Sequence, residues 1–165
     1  LEGTVEVDAI GISMGGLATR YAARLPSGPE GRGPTRRLRL ARLFTISSPH
    51  RGARMAELPS IHPLHLDMRA GSAFLTVLNK RPGGTVGDES VFAYVQLGDE
   101  VVGPSNAALP GEAPWWVSKG WCPFPHVAAV LDPRILSDIA RRLRGEPPHA
   151  PTPTAPLPEA DGAGL

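Results

Sequence analysis

Several residue types are scarce in this sequence, and each scarcity narrows its chemistry. Cys122 is the only cysteine in 165 residues, which excludes an internal disulfide framework and a cysteine-based zinc site. Lys80 and Lys119 are the only lysines, and 17 basic residues face 16 acidic ones for a formal net charge of +1. So even a balance argues against a general polyanion binder, and no nucleic-acid partner is expected. Aromatic residues make up 5% of the chain. No apolar run approaches the roughly 18 residues of a membrane-crossing helix, so no transmembrane segment is expected. What is plentiful is Gly and Pro, 19 of each, yet about half of the chain is apolar once glycine is counted, which is ordinary for a globular protein. One domain is expected at this length.

Along the chain, apolar stretches of strand and helix character alternate. Val5 to Ile10 alternates apolar and charged residues and predicts a strand. A tight turn follows over Gly11 to Gly16, then a helix over Leu17 to Leu25, stopped at Pro26. Residues 26–39 are rich in Pro, Gly and Arg and predict an exposed loop carrying the cluster Arg36-Arg37-Leu38-Arg39. Leu40 to Ser47 is an apolar run suited to a strand buried on both faces. Asp67 to Asn79 predicts a helix capped by Asp67, and Val91 to Leu97 a third strand. Asp132-Pro133 opens a last helix with Ile135, Leu136, Ile139 and Leu143 on one stripe and arginines near its end, and Gly145 closes it. Residues 145–165, dominated by Pro, Ala, Thr and Glu, are expected to form a disordered tail. This alternation predicts an α/β fold, a mostly parallel sheet with flanking helices.

Gly11-Ile12-Ser13-Met14-Gly15 matches G-x-S-x-G. The pattern alone is weak, but it sits between a strand and a helix, the setting in which a serine hydroxyl is pushed off the end of a sheet. In that turn Gly11 and Gly15 are expected to be required because side chains there would clash where strand and helix converge. The N–H of Met14, at the start of the helix, is placed to stabilise an oxyanion.

A nucleophilic serine needs a base, and the base an orienting carboxylate. In a parallel sheet these come from loops beyond the C-terminal strand ends. Asp99 directly follows a strand, with Glu100 as the neighbouring alternative. Among five histidines, His50 follows a strand and His126 lies in a loop just before the last helix; His149 lies in the tail and His62 and His65 flank Pro63. His126 comes after the acid, giving the chain order Ser13, Asp99, His126.

The stretch from Val7 to Tyr21, containing Gly11-Ile12-Ser13-Met14-Gly15-Gly16, resembles the nucleophile elbow of lipase- and esterase-like members of the α/β-hydrolase superfamily, usually G-H-S-M-G-G. Thr45 to Gly52, with Ser48-Pro49-His50-Arg51-Gly52, is similar to their T-P-H-x-G loop. Asp67 to Asn79 resembles their D-L-x-P-G-S segment. Gly98-Asp99-Glu100-Val101-Val102 looks like their acid loop, with Gly103 where Pro is common, and His126 with Leu131 to Arg134 looks like the histidine loop and last helix. The resemblance covers residues 5 to 144. It implies a catalytic triad of Ser13 as nucleophile, His126 as base and Asp99 as its orienter, with His50 shaping the loop beside the site.

The resemblance also implies that residues 1–144 are the C-terminal part of an α/β-hydrolase domain, a partial fold whose front strands and second oxyanion donor precede Leu1. The expected activity is carboxylic-ester hydrolysis through an acyl-enzyme, on a small-molecule ester or lipid, with no metal and no organic cofactor. An acyltransferase, thioesterase or lipid-remodelling deacylase on the same fold is the alternative, as is an inactive truncated module. The region Trp115-Trp116 and Trp121 to Pro125 is expected to line an acyl pocket, to touch a lipid surface in passing, or simply to pack a long loop.

Overall fold

The computed structural model describes residues 3–24, 36–59, 62–80, 90–153 and 156–158. Its centre is a sheet of β1 (Gly3–Ile12), β2 (Arg36–Ile46), β3 (Ser90–Gln96) and β4 (Trp115–Val117), in that spatial order. Every neighbouring pair runs parallel. The fold is therefore α/β with an all-parallel sheet, as the alternation of segments predicts.

β2 lies inside the sheet, and consecutive residues Leu43, Phe44, Thr45 and Ile46 are all buried. A continuous apolar run fits a strand covered on both faces. On one face Phe44 and Ile46 join Tyr94, Ala129 and the Ile135 and Ile139 stripe of the last helix, α5 (Pro133–Leu143). Burying each such isoleucine contributes roughly 1.5–3 kcal/mol. The other face receives α1 (Met14–Arg24), whose Gly16 abuts Thr45 and whose Leu17 packs with Leu75 and Leu78 of α3 (Ala73–Asn79).

The one charge in the apolar part of β2 is accommodated at the sheet's N-terminal side. Arg42 donates from Nε to Asp8 on β1 at 2.9 Å. The same guanidinium reaches the carbonyls of Arg142 and Leu143 at the end of α5, where a cation is favoured by the helix dipole. Arg142 in turn lies over Phe92 and Trp115 and bonds Asp138 at 2.8 Å, which also accepts the Tyr94 hydroxyl at 2.7 Å. Burial raises the Tyr94 phenol's pKa, and the Asp138 bond and charge raise it further.

Boundaries differ from the sequence expectations in instructive places. α1 begins at Met14 rather than Leu17, directly after the turn at Ser13. The Arg36-Arg37-Leu38-Arg39 cluster belongs to β2, not to an exposed loop, because β1 supplies ladder partners from Gly3 onward. Residues 26–35 of that expected loop, and Leu25 at the end of the expected helix, lie outside the described residues. The helix expected over Asp67 to Asn79 is two helices, α2 (Pro63–Asp67) and α3, interrupted at Gly71 with φ 73°. Ser72, not Asp67, caps the second, its Oγ accepting from Leu75 N at 3.1 Å. β4 and α4 (Pro125–Ala128) carry too few residues for periodicity to reveal them.

The expected tail starts as an attached segment. His149 N donates to Asp138 at 2.6 Å, and the Ala150 carbonyl accepts from Trp115 Nε1 at 3.0 Å. Proline-rich composition predicted no core there. What holds these residues is backbone hydrogen bonding to side chains of β4 and α5, which composition does not register.

Asp132 fastens the start of α5. Its side chain caps the helix by accepting from Arg134 N at 2.9 Å, takes the Arg134 guanidinium, and accepts Gln96 Nε2 from the end of β3 at 2.9 Å. Asp132→Ala removes a cap and strands the buried Gln96 amide. The expected loss is about 2–3 kcal/mol in urea unfolding; a loss under about 0.5 kcal/mol would contradict this account of the brace.

Candidate active site

Ser13 occupies a one-residue turn between β1 and α1 with φ 50°, a left-handed backbone uncommon for any residue but glycine. The turn is held by two backbone bonds. Ser13 N donates to Ile46 O at 2.9 Å, and Gly16 N to Ser13 O at 3.1 Å. Held this way, Ser13 projects from the C-terminal end of the sheet, flanked by half-exposed Ile12 and Met14. Met14 is the first residue of α1, so its N–H lies among those the helical ladder leaves unused.

The steric reason for the glycines differs from the expectation. A Cβ on Gly11 would stand 2.5 Å from Gly16 Cα, and one on Gly16 would stand 2.3 Å from Ser48 Oγ and 2.9 Å from Thr45 Cγ2. Gly15 would meet nothing within 4 Å. The close approach is thus between Gly11 and Gly16, where α1 packs across the end of β1 and β2, and Gly15 of the G-x-S-x-G pattern is not the crowded position. The Gly15-Gly16 pair after the serine was the available signal.

Three separate segments bring the predicted residues together. His126 lies on α4, with Nε2 3.1 Å from Ser13 Oγ. Its Nδ1 lies 3.0 Å from Asp99 Oδ2 and 3.2 Å from Oδ1. An ionised carboxylate only accepts, so Nδ1 carries the proton and donates to Asp99. Nε2 of the neutral ring is then the acceptor facing the serine hydroxyl.

Asp99 is fully buried just past β3, and Oδ1 also accepts the N–H groups of Val101 and Val102 at 3.0 Å each. Burial pushes its carboxyl upward. The hydrogen bond from His126, the Val102 N–H, the His126 charge and the Ser47 hydroxyl together outweigh burial, so its pKa lies below the usual value. Glu100, the neighbouring alternative, is exposed. Gly103 closes the loop, its N–H donating to Asp99 O at 2.9 Å with φ 86°. Proline is fixed near −65° and cannot take that conformation.

His50, the other histidine at this edge of the sheet, is fully buried. Nδ1 faces the Arg20 guanidinium at 3.1 Å and Nε2 faces Thr45 Oγ1 at 3.1 Å. Arg20 only donates, so Nδ1 accepts and Nε2 carries the proton toward Thr45. Burial, then the charges of Arg20 and Arg51, push its pKa down to about 3. It stays neutral and ties α1 to the β2 loop, with Asn79 of α3 donating to its carbonyl at 2.7 Å.

Two cavities of about 320 Å³ each lie elsewhere, one between β4 and α5 beside Tyr94, Trp115 and Ile135, the other beside Arg51 and Asn79; neither borders Ser13. Concavity and chemistry therefore disagree, and the hydrogen-bonded serine is the stronger marker. Trp115 packs in the sheet core against Phe92 and Tyr94. Trp121, Phe124 and Val127 are exposed on the segment that carries His126. Among the described residues no group of three or more His, Cys, Asp or Glu is arranged to hold a metal ion. No described helix is long and apolar enough to cross a membrane.

Two outcomes are expected. Gly16→Ala forces a buried overlap and costs about 1–3 kcal/mol, whereas Gly15→Ala, on a helix with open space, is neutral or stabilising by up to about 1 kcal/mol. Equal melting temperatures for the pair would refute the packing assignment. For His50, the unfolded chain binds a proton below its ordinary 6.5 while the folded one does not until about 3. Its stabilising effect is complete above pH 6.5 and falls as pH drops toward 3, at up to about 1.4 kcal/mol per pH unit. Urea midpoints of His50→Gln should depend less steeply on pH in that window than those of the parent chain.

No protein-family model matches this chain. No curated protein matches it either.

Proposed function

We propose that this chain carries the nucleophile, base and acid of a serine carboxylic-ester hydrolase, lipase- or esterase-like, of the α/β-hydrolase type its motifs resemble. The observation that carries the reading is the continuous hydrogen-bonded line from Ser13 Oγ through His126 to a buried, ionised Asp99, drawn from three separate segments of the chain. A serine hydroxyl, a histidine ring and a buried carboxylate in this order form the constellation by which activated serines are recognised, by geometry and roles, on unrelated folds.

In the proposed reaction Ser13 Oγ attacks the ester carbonyl carbon, and its proton passes to His126 Nε2. The carbonyl π electrons move onto oxygen, and the Met14 N–H stabilises that charge. As the tetrahedral centre collapses, the C–O bond to the alcohol breaks and His126 returns the proton to the departing oxygen. Water then attacks the acyl-enzyme, giving its proton to His126. Collapse frees the carboxylic acid, and the Ser13 oxygen recovers its proton. Asp99 remains ionised throughout and stabilises the transient imidazolium.

Exposed apolar residues support an ester with a hydrophobic acyl part. Trp121, Phe124 and Val127 lie on the segment that carries His126, Met14 directly follows the nucleophile, and all four are exposed. Apolar surface of this kind favours apolar acyl groups over charged ones.

A fluorophosphonate probe is expected to label the chain at Ser13. Ser13→Ala should abolish labelling, and His126→Ala should slow it by at least about 10³-fold. His50→Gln, away from the line, should label at a rate near that of the parent chain. Labelling that survives Ser13→Ala would refute the site.

A further inference from the structure

The Asp99 carboxylate is aimed by backbone groups, and what holds those groups lies off the line from Ser13 to His126. Oδ1 accepts the N–H groups of Val101 and Val102 at 3.0 Å each, while Oδ2 faces His126 Nδ1 at 3.0 Å. Turning the carboxylate about its Cβ–Cγ bond would break both amide contacts, so Oδ2 stays on the ring only while those N–H groups stay in place. The two valines are gripped from behind. The Val101 carbonyl shares a peptide plane with the Val102 N–H and accepts from Met55 N at 3.0 Å. The Val102 carbonyl accepts from Arg54 N at 3.2 Å and from Asn106 Nδ2 at 3.0 Å.

Two of these three donors are backbone groups of the segment after β2, and the third is a side chain. Asn106 lies in the short helical turn Pro104–Ala107 that follows the acid loop. Its own backbone is fixed at both ends, its N–H donating to Gly103 O at 2.9 Å and its carbonyl accepting from Arg51 N at 3.1 Å. The amide that reaches Val102 therefore starts from a firm base. Apolar packing alone would not suffice. The Val102 side chain is buried in one cluster with Val95 and Ala107. Such contacts resist displacement without fixing direction, whereas a hydrogen bond constrains both.

We infer that Asn106 is a positioning residue of the site: its side-chain amide holds Val102 so that the Val101 and Val102 N–H groups keep the Asp99 carboxylate turned toward His126. The inference deepens the hydrolase reading and rests on it for the effect on rate. The link from Asn106 to Oδ1 stands on its own, through one side-chain bond and one amide bond. By this link the turn beyond the acid loop acts on the reaction without touching substrate.

Asn106→Ala removes the donor. The expected result is a roughly fivefold slower maximal rate of fluorophosphonate labelling with unchanged half-saturation, the kinetic counterpart of one lost hydrogen bond. The low-field proton resonance of His126 Nδ1–H should shift or broaden in the same variant. Ser72→Ala separates this from a loss of stability alone. It removes the cap of α3, so it should lower the melting temperature yet leave rate and resonance as in the parent. Asn106→Asp, of the same size and without a donor when ionised, should repeat the slowing and the spectral change. It decides the matter if the alanine variant does not fold. Parent-like rate and resonance in a folded Asn106 variant would overturn the inference, as would the same resonance change in Ser72→Ala. If the parent chain does not label at all, the hydrolase reading fails. The resonance then decides the role of Asn106 by itself, a shift supporting it and an unmoved signal refuting it.

Discussion

The carbonyl of Ile46 and the N–H of Ser47, at the C-terminal end of β2, point to opposite neighbours. The first accepts from Ser13 N at 2.9 Å, and the second donates to Tyr94 O at 2.8 Å. These two bonds fix how far β1 and β3 extend relative to the strand between them. A parallel register slipped by one residue would turn every side chain to the other face, and Ser13 and the Asp99 loop would leave from different levels. Because the register holds, the first turn after β1 and the loop after β3 open at the same edge of the sheet. Burial of Leu43, Phe44, Thr45 and Ile46 makes that register costly to lose.

His126 is held less directly, since no strand of the sheet ends at it. The brace is polar. Gln96 at the end of β3, Asp132 at the start of α5, and Arg134 bonded to the Ser118 hydroxyl at 2.8 Å form a connected set. The short α4 segment is thus anchored downstream through α5, while upstream Ser118 follows β4. Shared hydrogen bonds of this sort suit the task better than apolar contacts, because they constrain direction as well as distance.

Much of this was legible in sequence, for reasons that also explain the gaps. The elements with strong periodicity or uninterrupted apolar runs, β2, β3 and α5, can be read because burial on one or two faces writes itself into residue spacing. Asp132 and Pro133 announce the start of α5 because capping chemistry is local. The meeting of Ser13, Asp99 and His126 was readable only as an order along the chain; their distances depend on the sheet. What composition could not reveal depends on contacts between distant segments. Gly16 rather than Gly15 is crowded because Ser48 and Thr45 lie opposite it. Arg36 to Arg39 join a strand because β1 supplies a ladder. Likewise, the attachment of His149 and Ala150 depends on Asp138 and Trp115.

Exposure along the proposed catalytic line is graded, and the gradient has a physical consequence. The Asp99 side chain is 0% exposed, that of His126 is 17% exposed, and Ser13 is half-buried at the surface end. A carboxylate sealed from water is stable as an ion only with donors around it, and here backbone amides and the His126 ring supply them. The low-dielectric end therefore stores a fixed charge that acts strongly on the ring. At the open end the Ser13 hydroxyl remains accessible to a reactant. Reversing the gradient would hydrate the carboxylate, weakening its hold on the ring, and would bury the hydroxyl that must be reached. The sheet achieves the working direction by letting Asp99 fold back under its own loop, with Gly103 N–H bonded to Asp99 O, while Ser13 leaves by a turn that has no room to fold back at all.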